Sequence, residues 1–284
     1  MANATSKSKN TKPNWFRRVG AKFKETFSEL KRVTDVATEA GRILLKNGAE
    51  IFRVEETMSR ICKSFGVEVV DVFTLSHALF VSTEKDGISY TRVRAVPLAG
   101  AHLGAVAEVN NLSRGIVEGR VGLEQAKETL SEIDKMRPVK DIYQIIGAGT
   151  TSISFGALLG SGLAECICAF VIGCLVWCWV LAAQKMHVTK MIINLFGGMI
   201  LTALSILAMA IIPVPMKIDG MIIGAIMPLI PGITCVNAIR DIADGDFLCG
   251  TVRMLDALFV FVYIAAGVGV VLGICNGVSG GMGL

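Results

Sequence analysis

Charge is scarce in this sequence: 18% of its 284 residues are charged, against about 25% in an ordinary soluble domain. The shortage is local. Upstream of Arg137 charges are dense, whereas from Ile142 to Ala183 the only charged residue is Glu165. Other shortages exclude whole chemistries. The three histidines show no zinc spacing and the eight cysteines make no CxxC pair, so no metal is expected. Cys166, Cys168, Cys174, Cys178 and Cys275 fall in or at apolar runs, where cysteine acts as a small hydrophobe. Cys62 and Cys249 are expected to face a reducing cytosol, so no disulfide is expected. There is no GxSxG, no phosphate-cradling glycine loop and no HExxH, so no residue is marked as catalytic. Nothing points to a nucleic-acid partner.

What is present is long apolar runs. About 20 apolar residues are needed to cross about 30 Å of hydrocarbon, and segments near 142–161, 163–183, 191–212, 218–238 and 254–275 qualify. The sequence thus reads as an α-helical integral membrane protein with five transmembrane helices over 141–284. The formal charge of +4 is uneven: residues 1–32 hold nine Lys/Arg and two Glu, leaving −3 for the rest. That basic lead has no apolar h-region and is not a signal peptide. After Trp15 it is amphipathic, with Val19, Phe23, Phe27, Leu30 and Val33 at helical steps. It suits a helix on anionic membrane lipid or one packed on the next domain. Lys185, Lys190, Arg240 and Arg253 fall on one side of the spans and Lys217 on the other. The positive-inside rule then puts the amino terminus in the cytoplasm and, after five crossings, the carboxyl terminus outside.

Residues 33–140 read as a cytoplasmic α+β domain with the order α-α-β-β-β-α-α. Helices over about 33–46 and 49–65 end at Asn47-Gly48 and Gly66. Extended runs at 67–74, 78–83 and 88–96 follow, the last two joined at Lys85-Asp86-Gly87. Helices near 101–117 and 122–135 close the domain. Its candidate polar residues are Glu50 and Glu55, at the edges of an apolar stripe, and His102, on an inward face. A first-turn glutamate also simply complements the helix dipole, and a lone inward histidine is more often a satisfied core residue than a catalyst.

The fourth apolar run is broken near the bilayer midplane by Met227-Pro228-Leu229-Ile230-Pro231-Gly232. Each proline removes a helix donor and clashes with the preceding turn, so the helix stops and restarts at Ile233-Thr234. Non-helical backbone at that depth is tolerated where it is buried in protein or lines a cavity, and transporters aim such half-helix ends at substrate. Pro228, Pro231, Gly232, Thr234, Asn237 and Asp241 are therefore the expected substrate-binding residues, the last two on one helical face. Arg240, Arg253 and Asp256 are expected to gate or couple, Arg253 and Asp256 as a pair three apart. A plain proline kink is the bland alternative.

These residues carry a resemblance. Ala40-Gly41, Gly48-Ala49-Glu50, Val54-Glu55 and Glu108-Val109-Asn110 precede Pro228-Leu229-Ile230-Pro231-Gly232, Val236-Asn237-Ala238, Gly245-Asp246, Gly250 and Arg253. In this order they resemble the threonine/serine exporter (ThrE) family, above all its split-subunit YjjP-like members. The resemblance implies a secondary exporter in the bacterial cytoplasmic (inner) membrane, driven by the proton-motive force and without a cofactor. Its substrates would be threonine and serine, or a dicarboxylate such as succinate. Full-length members carry a second membrane half, so a YjjB-like second membrane subunit, a homo-oligomer, or both are expected partners. Two other classes remain open: a small-amide or peptide hydrolase built on Glu50, Glu55 and His102, and a membrane-tethered metabolite sensor.

Overall fold

The computed structural model describes residues 14–97, 102–136 and 139–278, with side chains from Arg18 to Gly277 where burial is concerned. The first residues of the basic lead, Trp15's side chain, Pro138 and the glycine-rich end therefore lie outside what is described. The chain divides into two compact units, Met1–Met136 and Arg137–Leu284. Among the described residues there are ten α-helices and one three-stranded sheet.

In the first unit, α1 (Asn14–Lys46) and α2 (Ile51–Ser64) precede strands β1 (Val69–Leu75), β2 (Ala78–Lys85) and β3 (Ile88–Ala95). Then come α3 (Leu103–Val117) and α4 (Leu123–Asp134). The described part of the basic lead and the expected helix from 33 are one element, because α1 runs unbroken from Asn14 to Lys46. Its stripe splits in fate. Leu30 and Val33 are buried, whereas Val19 and Phe23 are exposed, and the Phe27 ring meets the Tyr90 ring edge-on at 5.8 Å. α1 stops where Gly48 takes a positive φ of 82° and the Asn47 side chain donates to the Ile43 carbonyl at 2.7 Å. The α1–α2 crossing is tight: a Cβ at Gly41 would stand 2.1 Å from Met58 Sδ.

The sheet is a meander in the order β1-β2-β3. Asp86 and Gly87 both have positive φ, at 52° and 71°. That is the pattern a two-residue hairpin needs to match strand twist. The inner face puts Leu79, Val81 and Thr83 against α1, where the Thr34 and Thr83 hydroxyls share a hydrogen bond of 2.8 Å.

The second unit contains α5 (Asp141–Leu158), α6 (Leu163–Lys185), α7 (Lys190–Ile211) and α8 (Ile218–Ile226). A 3₁₀ turn (Met227–Leu229), α9 (Gly232–Ala243) and α10 (Phe247–Val278) complete it. The expectation of five transmembrane helices beside a separate domain is overturned. Among the described residues, three helices are long and apolar enough to cross a membrane: α6, α7 and Phe247–Gly277 of α10. A fourth crossing comes only from counting the bent pair Ile218–Leu229 and Gly232–Ala243 as one. α5 fails for physical reasons. Its 18 residues are within the length range of a span, so composition decides against it. It carries Asp141, Gln144, Tyr143 and four serine and threonine residues. All four Ser and Thr hydroxyls (Thr150, Thr151, Ser152 and Ser154) donate back to carbonyls four residues earlier. The carboxyl-terminal placement outside, which followed from five crossings, loses its basis.

Glycines set the packing of this unit. A Cβ on Gly198 of α7 would stand 2.5 Å from the Ile264 carbonyl oxygen of α10. One on Gly267 of α10 would stand 2.1 Å from the Leu195 carbonyl oxygen of α7. Gly173 and Gly224 likewise let α6 and α8 approach Ser152 of α5. Without a hydrophobic drive between helices in lipid, such backbone proximity is how helices associate.

Candidate functional site

The break in the α8–α9 pair bends the apolar path by 65°. Pro228 sits in the 3₁₀ turn that ends α8. Pro231, at φ −79° and ψ 61°, lies at the centre of an inverse γ-turn, closed by the Gly232 N–H donating to the Ile230 carbonyl at 2.8 Å. α9 then starts, with the Cys235 N–H reaching the Pro231 carbonyl at 3.0 Å. Leu229 anchors the turn, since a Cβ on Gly197 of α7 would meet its Cδ1 at 3.0 Å. The opening N–H groups of any helix lack acceptors in their own helix and favour negative charge. Pro228, Pro231, Thr234 and Asn237 are half-buried here, Gly232 and Arg240 exposed, and Asp241 fully buried one turn beyond Asn237.

Asp241 has a specific partner. Arg253 Nη1 of α10 donates to its Oδ2 at 2.9 Å, and the two side chains are 8% and 2% exposed. The expected Arg253–Asp256 pair is replaced by two cross-helix pairs. Asp256 accepts instead from Lys190 at 2.6 Å, in the open. The α9–α10 hairpin makes the new pairing possible. It turns at Gly245 (φ 93°), and Gly250 lets α10 lie so close that a Cβ there would stand 2.9 Å from the Ala238 carbonyl. Asp246 caps α10 by accepting from the Cys249 N–H at 3.1 Å.

A residue outside the expected site is engaged at the opposite end of α8 from the break. Glu165 is buried, with Oε2 accepting from the Gly162 N–H at 2.6 Å and Oε1 from the Lys217 N–H at 2.5 Å. One carboxylate thus caps α6 and the residue that opens α8. Its isolation among apolar residues was visible in the sequence; its distant backbone partner was not. Glu165→Ala removes the carboxylate that accepts from both N–H groups, and hydrogen bonds to charged groups are worth about 1.5–3 kcal/mol each. A loss of roughly 2 kcal/mol or more is expected in detergent unfolding, with Glu165→Gln losing less because one carbonyl acceptor remains.

In the first unit each polar candidate is engaged. Glu55 Oε1 accepts from the Thr74 N–H at 2.8 Å, tying α2 to β1. Glu50 accepts from Arg53 at 3.3 Å. His102 caps α3: its Nδ1 accepts from the Ala105 N–H at 3.0 Å, which leaves the ring proton for Nε2 in the neutral form. Burial pushes the Cys62 thiol up to about 12, so it is not a thiolate nucleophile.

A charged cluster lies between α1 and α4. Arg42 contacts Glu39 at 2.6 Å and Asp134 at 2.7 Å, and Lys46 contacts Asp134 at 2.8 Å. Burial alone would raise the Asp134 carboxyl, but hydrogen bonds from Lys46 and Arg42 hold it below its usual value. A depressed carboxylate stabilises the fold above its unfolded value of about 3.9. That contribution is lost as pH falls through the lower folded value. The acid limb of a thermal-stability profile is therefore expected to flatten in Asp134→Asn.

Comparison with known proteins identifies the family. The profile described as "Putative threonine/serine exporter" matches residues 35–275. A Mycobacterium tuberculosis protein named "Probable threonine/serine exporter" is 22% identical over 84% of this chain and 45% of its own length. The chain thus spans less than half of that relative. Proteins named "Probable succinate transporter subunit YjjP" from Klebsiella aerogenes and Escherichia coli K12 are 23% and 24% identical. Those alignments cover 86% and 85% of this chain, and 94% and 93% of theirs. No solved structure matches. With membrane-length apolar helices and a family profile over residues 35–275, this chain belongs to the threonine/serine exporter family.

Proposed function

We propose that this chain is a subunit of a secondary exporter that carries small carboxylate metabolites out across a bacterial cytoplasmic membrane. Threonine and serine, or a dicarboxylate such as succinate, are the solutes, by analogy with the names its relatives carry. The proton-motive force drives it. The observation that carries this reading is the 65° break in the α8–α9 path. Half-helix ends at such breaks hold anionic groups in transporters. Pro228, Pro231, Gly232 and Thr234 shape the seat for the substrate carboxylate, and Asn237 contacts its other polar groups. Asp241 with Arg253 couples substrate or proton to movement of α9 against α10, with Arg240 and Asp256 at the gate. A second membrane subunit of the YjjB-like kind completes the pathway, in keeping with the word subunit in two relatives' names. The amino terminus is cytoplasmic, as the basic lead favours.

The test is efflux from cells expressing the chain with its partner and loaded with labelled threonine, serine or succinate. Removing a hydrogen bond to a charged group costs about 1.5–3 kcal/mol, so Pro231→Ala with Asn237→Ala is expected to lower efflux about tenfold or more. Unchanged partner-dependent efflux removes the site assignment, and no efflux of any of the three solutes removes the substrate class.

A further inference from the structure

The first unit holds a cavity of about 350 Å³ that the transport reading does not use. Asp35 and Glu39 line it from α1, Arg92 from β3, and Lys127, Ser131 and Asp134 from α4. Its volume is within the range of small-molecule sites. Val36, Leu123 and Leu130 supply the apolar part of the wall.

The charge pattern selects among ligands. Four acidic and four basic side chains line the cavity, so it has no net charge to offer a dianion or a dication. Yet both signs are held at fixed places. Asp35 is paired with Arg92, and both are half-buried; Glu39 and Asp134 are gripped from behind by Arg42. The most exposed lining pair, Arg32 with Glu124, joins α1 to α4. None of these pairs exhausts its members. Arginine has five N–H donors and a carboxylate about four lone-pair sites, so a ligand can add to a pair without breaking it. The complementary ligand carries an anionic and a cationic group a few ångströms apart, with a short apolar or hydroxyl-bearing side chain.

We infer that the cavity between α1, β3 and α4 is a binding site for a free α-amino acid in its zwitterionic form. The carboxylate lies on the side of Arg92 and Lys127, the ammonium against Asp35 and Glu39, and the side chain toward Val36, Leu130 and the Ser131 hydroxyl. The site is separate from the α8–α9 break and does not depend on which solute the membrane unit carries.

Full-length protein in detergent, carrying Pro231→Ala and Asn237→Ala to silence the membrane-unit candidate, is titrated with labelled L-threonine, L-serine and L-alanine by equilibrium dialysis. Saturable binding is expected to persist in that background. Ser131→Trp, at an exposed position, fills the cavity and is expected to weaken binding at least tenfold. Lys127→Glu, also exposed, weakens it by making the cavity acidic. Propionate and propylamine, which carry one charge each, should compete poorly. The inference is overturned if none of the amino acids binds saturably, if both substitutions leave binding unchanged, or if succinate displaces the amino acids more strongly than they displace one another. Failure here leaves efflux through the membrane unit untouched, because the two sites have separate variants and readouts.

Discussion

Asp241→Ala is expected to cost about 3–5 kcal/mol, because it removes the carboxylate partner of the Arg253 guanidinium, a side chain that is 8% exposed. Folds are stable by about 5–15 kcal/mol, so the loss takes a large share of the total and the yield of folded protein after detergent extraction should fall sharply. Arg253→Ala should do the same from the other side, by removing the guanidinium that donates to the buried carboxylate. The informative variant is the double replacement by Asp241→Leu and Arg253→Met. Exchanging a buried pair for apolar groups of similar volume is often neutral or stabilising. Recovery of the folded, monodisperse protein without recovery of efflux would assign the pair to function. Recovery of both would reduce it to architecture. Non-additivity between the single and double variants measures the coupling directly.

Gly267→Ala is the second large effect, and it is a one-carbon change. The added Cβ would stand 2.1 Å from the Leu195 carbonyl oxygen and 2.9 Å from the Met199 nitrogen. Both are backbone, so no side chain can swing aside and α7 and α10 must part. Overpacking costs about 1–3 kcal/mol, occasionally more, and this case belongs at the upper end. Gly269, two residues on in the same helix, has nothing within 4 Å of its Cβ position. There alanine should stabilise by up to about 1 kcal/mol through helix propensity. Thermal unfolding of the two variants side by side separates interhelix contact from propensity. Equal behaviour would mean that the α7–α10 contact is looser than the backbone distances require.

Residue chemistry that acts within a few positions was legible in the sequence. Two prolines and a glycine between 228 and 232 mark where α8 ends and α9 begins, and Asp86-Gly87 marks the β2–β3 turn. Quantities that depend on tertiary partners were not. The apolar run after Ile142 looked like a span because Gly, Ser and Thr are nearly neutral in a coarse reading. As a helix it is rich in groups that must bond to its own carbonyls. Arg253 and Asp256 were matched because they are three apart. The α9–α10 turn instead brings Arg253 to Asp241, 12 positions away, and Asp256 is claimed by Lys190 from 66 positions away. The Glu165 caps and the charged cavity escaped for the same reason: each joins segments that are distant in sequence.

α1 has 33 residues, about 50 Å of helix at 1.5 Å per residue, and no proline within it. Mechanically it is a beam. Its carboxyl half is clamped in the core, and part of its amino half, at Val19 and Phe23, stands clear of it. A hinge between those halves would absorb any pull on the lead, but the described helix contains none. A displacement at the amino end therefore reaches Asp35 and Glu39 as a rigid tilt, and the cavity wall moves with the lead rather than independently of it.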